Sequence, residues 1–310
     1  MPPRSPRYGK RCGDSTPPGG GTSRSDGENQ LRISDLPHAL RDKSRFAQRL
    51  AGRRPAVFLD YDGTLTPIVD RPEDAVLSEG MRDAVRRLAE RATVCVVSGR
   101  DRPVVAQWIG IDGLVVAGSH GFDLGDHHDR ALRREAAAGF EDLLCTVTDR
   151  LRTEVEPVQG AVVEPKRFSV AVHYRLVAPH EHQYVKAVVD TLLADHPELL
   201  KMTPGKMVYE IQPKVDWDKG KAVQYLCHAL GVESDEFVRV YLGDDITDED
   251  AFRALKGALQ GPPGGARPGS GIGIVVADLS DPEQAGRSTA ADFMLESTGE
   301  VQRFLNTLAR

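Results

Sequence analysis

Short apolar runs that lack alternation and stop at acidic residues constrain this chain more than any other feature. Pro55-Ala-Val-Phe-Leu-Asp60 is the first; Val238-Arg-Val-Tyr-Leu-Gly243, apolar but for Arg239 and followed at once by Asp244 and Asp245, reads as a later strand. A strand with one face in water alternates apolar and polar residues, whereas a parallel strand covered on both faces does not. Thr93-Val-Cys-Val-Val-Ser98 has the same character, as do residues 113–117, 271–277 and 292–295. Between them, residues 78–88 place Met81, Val85 and Leu88 on one stripe, which predicts a helix with Ser78 as its N-cap. Val104, Val105, Trp108 and Ile109 mark a short second helix, and Ala222, Val223, Leu226 and Leu230 a later one starting at Lys219. Strand and helix in turn give an α/β fold: a parallel sheet flanked by helices.

The rhythm breaks between Phe122 and Pro213. A helix carrying Phe140, Leu143, Leu144, Val147 and Leu151 leads into alternating segments at 161–164 and 168–173. A further helix uses Val185, Val188, Val189, Leu192 and Leu193, and a strand is predicted from Met207 to Ile211. This stretch reads as an α+β insert. The expected organisation is a catalytic core of residues 31–121 and 214–310, with residues 122–213 as a cap. Residues 1–30 are rich in Pro, Gly, Ser and Arg without an apolar core. They read as a disordered extension rather than a secretory signal, with an organelle transit peptide as the alternative. Residues 262–271 read as a flexible loop.

Composition excludes some function classes. A formal net charge of -6 argues against a nucleic-acid partner, which demands a basic face. No apolar run reaches the roughly 20 residues that a membrane-spanning helix needs. The four cysteines, Cys12, Cys95, Cys145 and Cys227, fall in no zinc-type spacing. They are expected to be reduced core cysteines of a cytoplasmic protein.

Ligands of open parallel sheets bind at the carboxyl ends of the strands. Those ends carry Asp60-Tyr-Asp62-Gly-Thr64, Ser98-Gly-Arg100, and Asp244 with Asp245 and Asp248. Each alone is a common turn; together they suit a divalent metal and a phosphate. Hydrolysis of a phosphate monoester brings one anion to another, and a hard cation removes that repulsion. Mg2+ is the expected cofactor. Asp60 and Asp244 would offer carboxylates to it and Asp62 its backbone carbonyl, with Asp245 and Asp248 holding waters or orienting the others. Asp60 is the expected nucleophile. Asp62, past the strand at the Gly63 turn, is placed to protonate the leaving oxygen and later to activate water. Ser98 and Lys219, the latter at a helix N-terminus, would bind phosphate oxygens.

These motifs resemble the haloacid-dehalogenase-like superfamily of aspartate-nucleophile phosphatases. The finer text resembles its trehalose-6-phosphate phosphatase family. It lies in Leu59-Asp-Tyr-Asp-Gly-Thr-Leu-Thr-Pro-Ile68, Val97-Ser-Gly-Arg100, Gly118-Ser-His-Gly121, Val163-Glu-Pro-Lys166 and His173-Tyr-Arg175. Further on it continues in Gly205-Lys-Met-Val-Tyr-Glu-Ile211, Trp217-Asp-Lys-Gly220 and Gly243-Asp-Asp-Ile-Thr-Asp-Glu-Asp-Ala-Phe252. The resemblance covers about residues 54 to 308. It implies the same core roles, with Asp60, Asp62 and Asp244 on magnesium and an aspartyl-phosphate intermediate. It assigns Thr64, Arg100 and His120 to the substrate side of the core, His120 near the seam with the cap. Glu164, Lys166, Arg175, Lys206 and Glu210 would bind the disaccharide of trehalose 6-phosphate. Acids and bases on strands facing a cleft suit sugar hydroxyls, and the even spacings of Glu164 with Lys166 and Lys206 with Glu210 would put each pair on one side of a regular strand. The substrate would come from a separate trehalose-6-phosphate synthase, and a monomer is expected.

Three alternatives share this reading of the core. A sister phosphatase would act on another sugar phosphate, such as sucrose 6-phosphate, and would differ in its cap. A phosphomutase would return the phosphate to sugar instead of water. A silent sugar-phosphate sensor would be marked by loss of Asp60 or Asp62, and both are present.

Overall fold

The computed structural model describes residues 31–125, 134–135, 139–257 and 271–310. The first half runs β1 (Leu31–Arg32), α1 (Lys43–Leu50), β2 (Arg54–Leu59), α2 (Glu79–Ala89), β3 (Thr93–Val97), α3 (Arg102–Ile109), β4 (Val115–Gly118), β5 (Asp123–Gly125) and β6 (Arg134–Glu135). Then come α4 (Glu141–Glu154), β7 (Val162–Pro165), β8 (Val170–His173), α5 (His182–Asp195), β9 (Leu200–Gly205) and β10 (Val208–Pro213). The chain closes with α6 (Lys219–Ala229), β11 (Phe237–Gly243), α7 (Asp248–Lys256), β12 (Gly271–Val276), α8 (Pro282–Gly286), β13 (Ser288–Thr289), β14 (Phe293–Leu295) and α9 (Thr298–Leu308).

The larger sheet has the order β14-β12-β11-β2-β3-β4-β5-β6. Its strands from β14 to β4 are parallel, and β5 and β6 extend it antiparallel. The apolar runs end up here because both faces are covered. Val57, Leu59, Val94 and Val96 pack with the buried stripe of α2 and with α9, while Ala56, Phe58, Cys95 and Val97 pack with α6. The Ser78 hydroxyl accepts from the Met81 amide at 3.2 Å, the cap that starts α2. From β2 the chain moves on to β3, while β11 lies on the other flank of β2. That reversal is where a doubly wound sheet opens a crevice.

The smaller sheet, β7-β8-β10-β9, is antiparallel throughout. One face buries Val163, Val170, Val172 and Ile211 under Leu144, Val147 and Leu151 of α4 and Val185, Val189 and Leu192 of α5. Because side chains alternate along a strand, Glu164, Ala171, His173 and Glu210 point to the other face.

Several local expectations change. Residues 200–205 form β9 although Pro204 and Gly205 are poor strand formers, because β10 supplies a six-residue antiparallel partner. Helices α1 and α9, which the sequence reading leaves unassigned, flank the larger sheet. Met207 is not in a strand; it sits in the β9–β10 turn with φ 61°. Cys95 and Cys227 are buried free thiols, but Cys145 is exposed. It lies off the buried stripe of α4 formed by Leu144, Val147, Thr148 and Leu151, which corrects the core assignment. The expected extension at 1–30, most of the loop at 262–271, and Cys12 lie outside the described residues. Among the described residues, no helix is long and apolar enough to cross a membrane.

Candidate active site

Asp60 follows the last residue of β2 and is buried at the reversal point, its amide bonded to Leu242 O of β11 at 2.9 Å. Lys219, the first residue of α6, places Nζ 2.8 Å from Asp60 Oδ1 and 2.7 Å from Asp248 Oδ1. Asp248 opens α7 and accepts four hydrogen bonds. Oδ1 receives Lys219 and the Tyr241 hydroxyl at 2.7 Å, and Oδ2 receives the amides of Asp244 and Asp245 at 2.9 Å each. Lys206 reaches from the β9–β10 turn to Asp244 Oδ2 at 2.6 Å. A side chain at residue 63 would put its Cβ 2.2 Å from the same oxygen, and φ there is 77°, so only glycine fits.

Crowded acids out of water resist ionisation. Burial pushes the Asp60 carboxyl well up, against the pull of Lys219, and Asp248 and Asp244 add to the rise. Asp244 is raised to about 7 by burial, with Lys206 opposing and Asp248 and Asp245 reinforcing. Asp248 goes the other way: burial opposes its charge, but Lys219, Tyr241 and the backbone amides together lower it. Lys219 is raised, because Asp248 and Asp60 outweigh its burial.

Asp62 is held by Arg100 through both oxygens, Nε to Oδ2 at 2.6 Å and NH2 to Oδ1 at 2.7 Å. The guanidinium also donates to Pro72 O at 2.8 Å and lies 4.8 Å from the Trp108 ring centre. Arg100, expected on the substrate, thus serves here as the partner of the expected acid/base. Ser98 is fully buried; its hydroxyl oxygen accepts from the Arg100 amide at 3.1 Å, which leaves its own proton to donate. Thr64 is fully buried too, and its hydroxyl has no partner among the described residues.

After β4, Ser119 and His120 both take left-handed backbone angles, φ 49° and 55°. Such strain in non-glycine residues is held only by surrounding structure, and it clusters at functional sites. The His120 amide bonds Ser98 O at 2.8 Å, tying this turn to the Ser-Gly-Arg turn. Burial lowers the imidazole to about 4, with Glu210 opposing and Lys219 and Lys166 reinforcing.

The polar face of the smaller sheet looks onto the same space. Lys166 bonds Glu210 at 2.9 Å and 3.1 Å and reaches Gly99 O at 3.1 Å. Glu210 also takes the Ser169 hydroxyl. Burial alone would raise Glu210, but Lys166 and His120 lower it. Glu164 accepts from His173 at 2.8 Å; burial raises it, yet His173 and Lys166 bring it to about 2. Arg175 donates to Lys206 O at 3.0 Å. The pairing therefore runs across strands rather than along them: Lys206 leaves β10 for the turn and faces Asp244, while Glu210 pairs with Lys166.

A cleft of about 190 Å³ collects Asp60, Asp62, Arg100, His120, Lys219, Asp244 and Asp245 on one side and Glu164, Lys166, Arg175, Lys206 and Glu210 on the other. Thr64, Ser98 and Asp248 are buried and are not in its lining. Sequence reasoning missed Tyr241 and Ser169. Nothing local distinguishes Tyr241 from apolar strand filler, and Ser169 acts only once β8 is beside β10.

The acids fit a hard cation. Carboxylate oxygens of Asp60, Asp244 and Asp248 lie within 4.8 Å of one another, all three buried. An oxygen donor set with this surplus of buried negative charge suits magnesium. Because the four donors on Asp248 fill its oxygens, it is best placed to hold the others in position. Asp62 gives its carboxylate to Arg100, and Asp245 Oδ1 accepts from the Ile246 amide at 2.7 Å.

Comparison with known proteins bears on the family and the fold. The family model described as trehalose-phosphatase matches residues 58–297. An uncharacterised glycosyl hydrolase of Mycobacterium tuberculosis is 42% identical over 290 residues, 91% of this chain but 20% of that protein. A trehalose-phosphate phosphatase of the same organism is 43% identical over 284 residues, 90% of this chain and 67% of that one. The chain thus spans one fifth of the first relative's length and about two thirds of the second's. Among solved structures, the C-terminal domain of a C. albicans trehalose-6-phosphate phosphatase superposes with a TM-score of 0.73 at 22% identity, covering 91% of this chain and 99% of that one. An Aspergillus fumigatus trehalose-6-phosphate phosphatase gives 0.58 at 26% identity, covering 88% and 98%.

Proposed function

The chain belongs to the trehalose-phosphatase family, and from that premise we propose that it hydrolyses trehalose 6-phosphate to trehalose and inorganic phosphate. The observation that carries this reading is the two-sided cleft. Phosphate-type chemistry lines one wall and sugar-type donors and acceptors the other.

Asp60 attacks phosphorus, and the bond from phosphorus to the sugar oxygen breaks. Lys219 holds Asp60 in line and offsets the charge gathering on the phosphate oxygens. Asp62 lets go of one Arg100 bond, takes up a proton from solvent on the freed oxygen, and gives that proton to the leaving sugar oxygen. In the second step it takes a proton from water, which attacks phosphorus as the bond to Asp60 breaks. Ser98 and Thr64 are expected to donate hydroxyl protons to the phosphate, which requires it to seat deeper than the residues now lining the cleft. Magnesium, held by Asp60 and Asp244 with the Asp62 carbonyl and steered by Asp248 and Asp245, would supply charge neutralisation.

On this reading residues 31–125 with 134–135 and 214–310 belong to the catalytic core and residues 139–213 to the cap; the boundary expected at 122 is corrected, because β5 pairs onto β4 and β6 onto β5 in the larger sheet. Glu164, Lys166, Arg175, Lys206 and Glu210 read the disaccharide, and His120 sits at the seam. A separate synthase supplies the substrate, and the enzyme works as a cytoplasmic monomer.

Phosphate release from trehalose 6-phosphate, sucrose 6-phosphate and glucose 6-phosphate, with magnesium or EDTA, tests the proposal. The expected result is a magnesium-dependent preference for the trehalose ester that disappears in Asp60→Asn. Equal turnover of all three esters would remove the substrate, and full activity in Asp60→Asn would remove the mechanism.

A further inference from the structure

Tyr241 lies in the middle of β11, wholly buried. Its ring meets Phe252 edge-on with centroids 5.7 Å apart and belongs to the apolar cluster on the α6 side of the sheet. Phenylalanine would fill the same space, so packing does not account for the hydroxyl. That hydroxyl donates to Asp248 Oδ1 at 2.7 Å. Burial, then Asp248 and Asp60, push the phenol well above its ordinary range, so the group stays a donor.

The oxygen it meets is the one that holds Lys219 at 2.7 Å, and the same ammonium holds Asp60 at 2.8 Å. The other oxygen of Asp248 takes the amides of Asp244 and Asp245 and cannot turn without carrying that loop along. Asp248 Oδ1 is therefore shared between a phenol and an ammonium. If the phenol is removed, the full acceptor strength of that oxygen falls on Lys219 and draws it away from Asp60.

We propose that Tyr241 is a positioning residue for the reaction: through Asp248 it sets how Lys219 is divided between Asp248 and Asp60. The inference rests on Asp60 being the nucleophile, as in the functional reading above. Tyr241 does not reach the cleft, so its influence falls on the chemical step and not on sugar binding.

The test is Tyr241→Phe, which keeps the ring. On trehalose 6-phosphate and on a small aryl phosphate alike, kcat is expected to fall about tenfold, the worth of one hydrogen bond to a charged group, with both KM values within about twofold. Binding of beryllium trifluoride in magnesium, a mimic of an acyl phosphate, is read by fluorine NMR and is expected to weaken about tenfold. Thermal midpoints of both proteins are recorded beside these. A lower midpoint with kcat and beryllium trifluoride affinity unchanged would make Tyr241 a packing residue and overturn the inference. A loss confined to KM for the trehalose ester would overturn it as well. A wild type that hydrolyses neither ester defeats the functional reading; the beryllium trifluoride comparison then decides on Tyr241 by itself.

Discussion

At the strand ends of the larger sheet, Asp248 is gripped by a lysine, a phenol and two backbone amides, whereas on the polar face of the smaller sheet Glu164 pairs with His173 and Glu210 with Lys166 and Ser169. The first set involves the backbone of a loop between β11 and α7 and cannot rearrange without moving that loop. The second consists mainly of side-chain pairs, which can be exchanged for sugar hydroxyls one by one. Chemistry at phosphorus needs charges fixed in advance, since an oriented dipole does not have to reorganise during the reaction. Recognition of a polyol needs partners that are satisfied when the cleft is empty and still available to a ligand. On the proposed function, the two walls would divide those demands between them.

Lys219→Met is the largest disturbance of the fixed wall short of removing the nucleophile. It takes the shared cation from Asp60 and Asp248 and is expected to cost about 10²–10⁴-fold in kcat/KM. The loss should be equal for trehalose 6-phosphate and a small aryl phosphate. A loss restricted to the trehalose ester would break the comparison by moving Lys219 to the reading wall.

A smaller effect concerns stability against pH. His120 at the seam is lowered to about 4 from an ordinary value of 6.5. The unfolded chain binds the proton first, so folding stability is fully present above 6.5 and is lost as pH falls toward 4. Glu164, lowered to about 2, adds a separate loss between its ordinary 4.5 and 2. Urea midpoints measured from pH 7 to 4 should fall in the wild type and stay flatter in His120→Gln. The same slope in both proteins would show that the seam histidine is not held neutral.

The fixed wall was largely legible in the sequence, and the exchangeable one less so. β2 and β11 carry their acids at the end of largely apolar runs, interrupted in β11 by Arg239, so strand, direction and site follow from one pattern. Tyr241 escaped because its role depends on Asp248, seven residues away across a turn, and its neighbours are all strand-like. On the other wall, even spacing wrongly suggested that Lys206 and Glu210 share a strand face. The turn at Met207 separates them, and the cross-strand register, which brings Glu210 beside Ala171, is not written locally. β9, with its proline and glycine, is made a strand by pairing rather than by propensity. Helix α9 did leave a signal: Ser297 accepts from the Glu300 amide, the Ser-x-x-Glu pattern of a capping box.

The division of labour is tested most directly by Glu210→Ala, with kcat/KM measured on trehalose 6-phosphate and on a small aryl phosphate. Two charge-assisted contacts are lost from the reading wall, by Glu210 itself and by the released Lys166. The account predicts a fall of about 100-fold for the trehalose ester and a change within about threefold for the aryl ester. Equal losses on both would contradict it, because Glu210 would then support the chemistry rather than read the sugar.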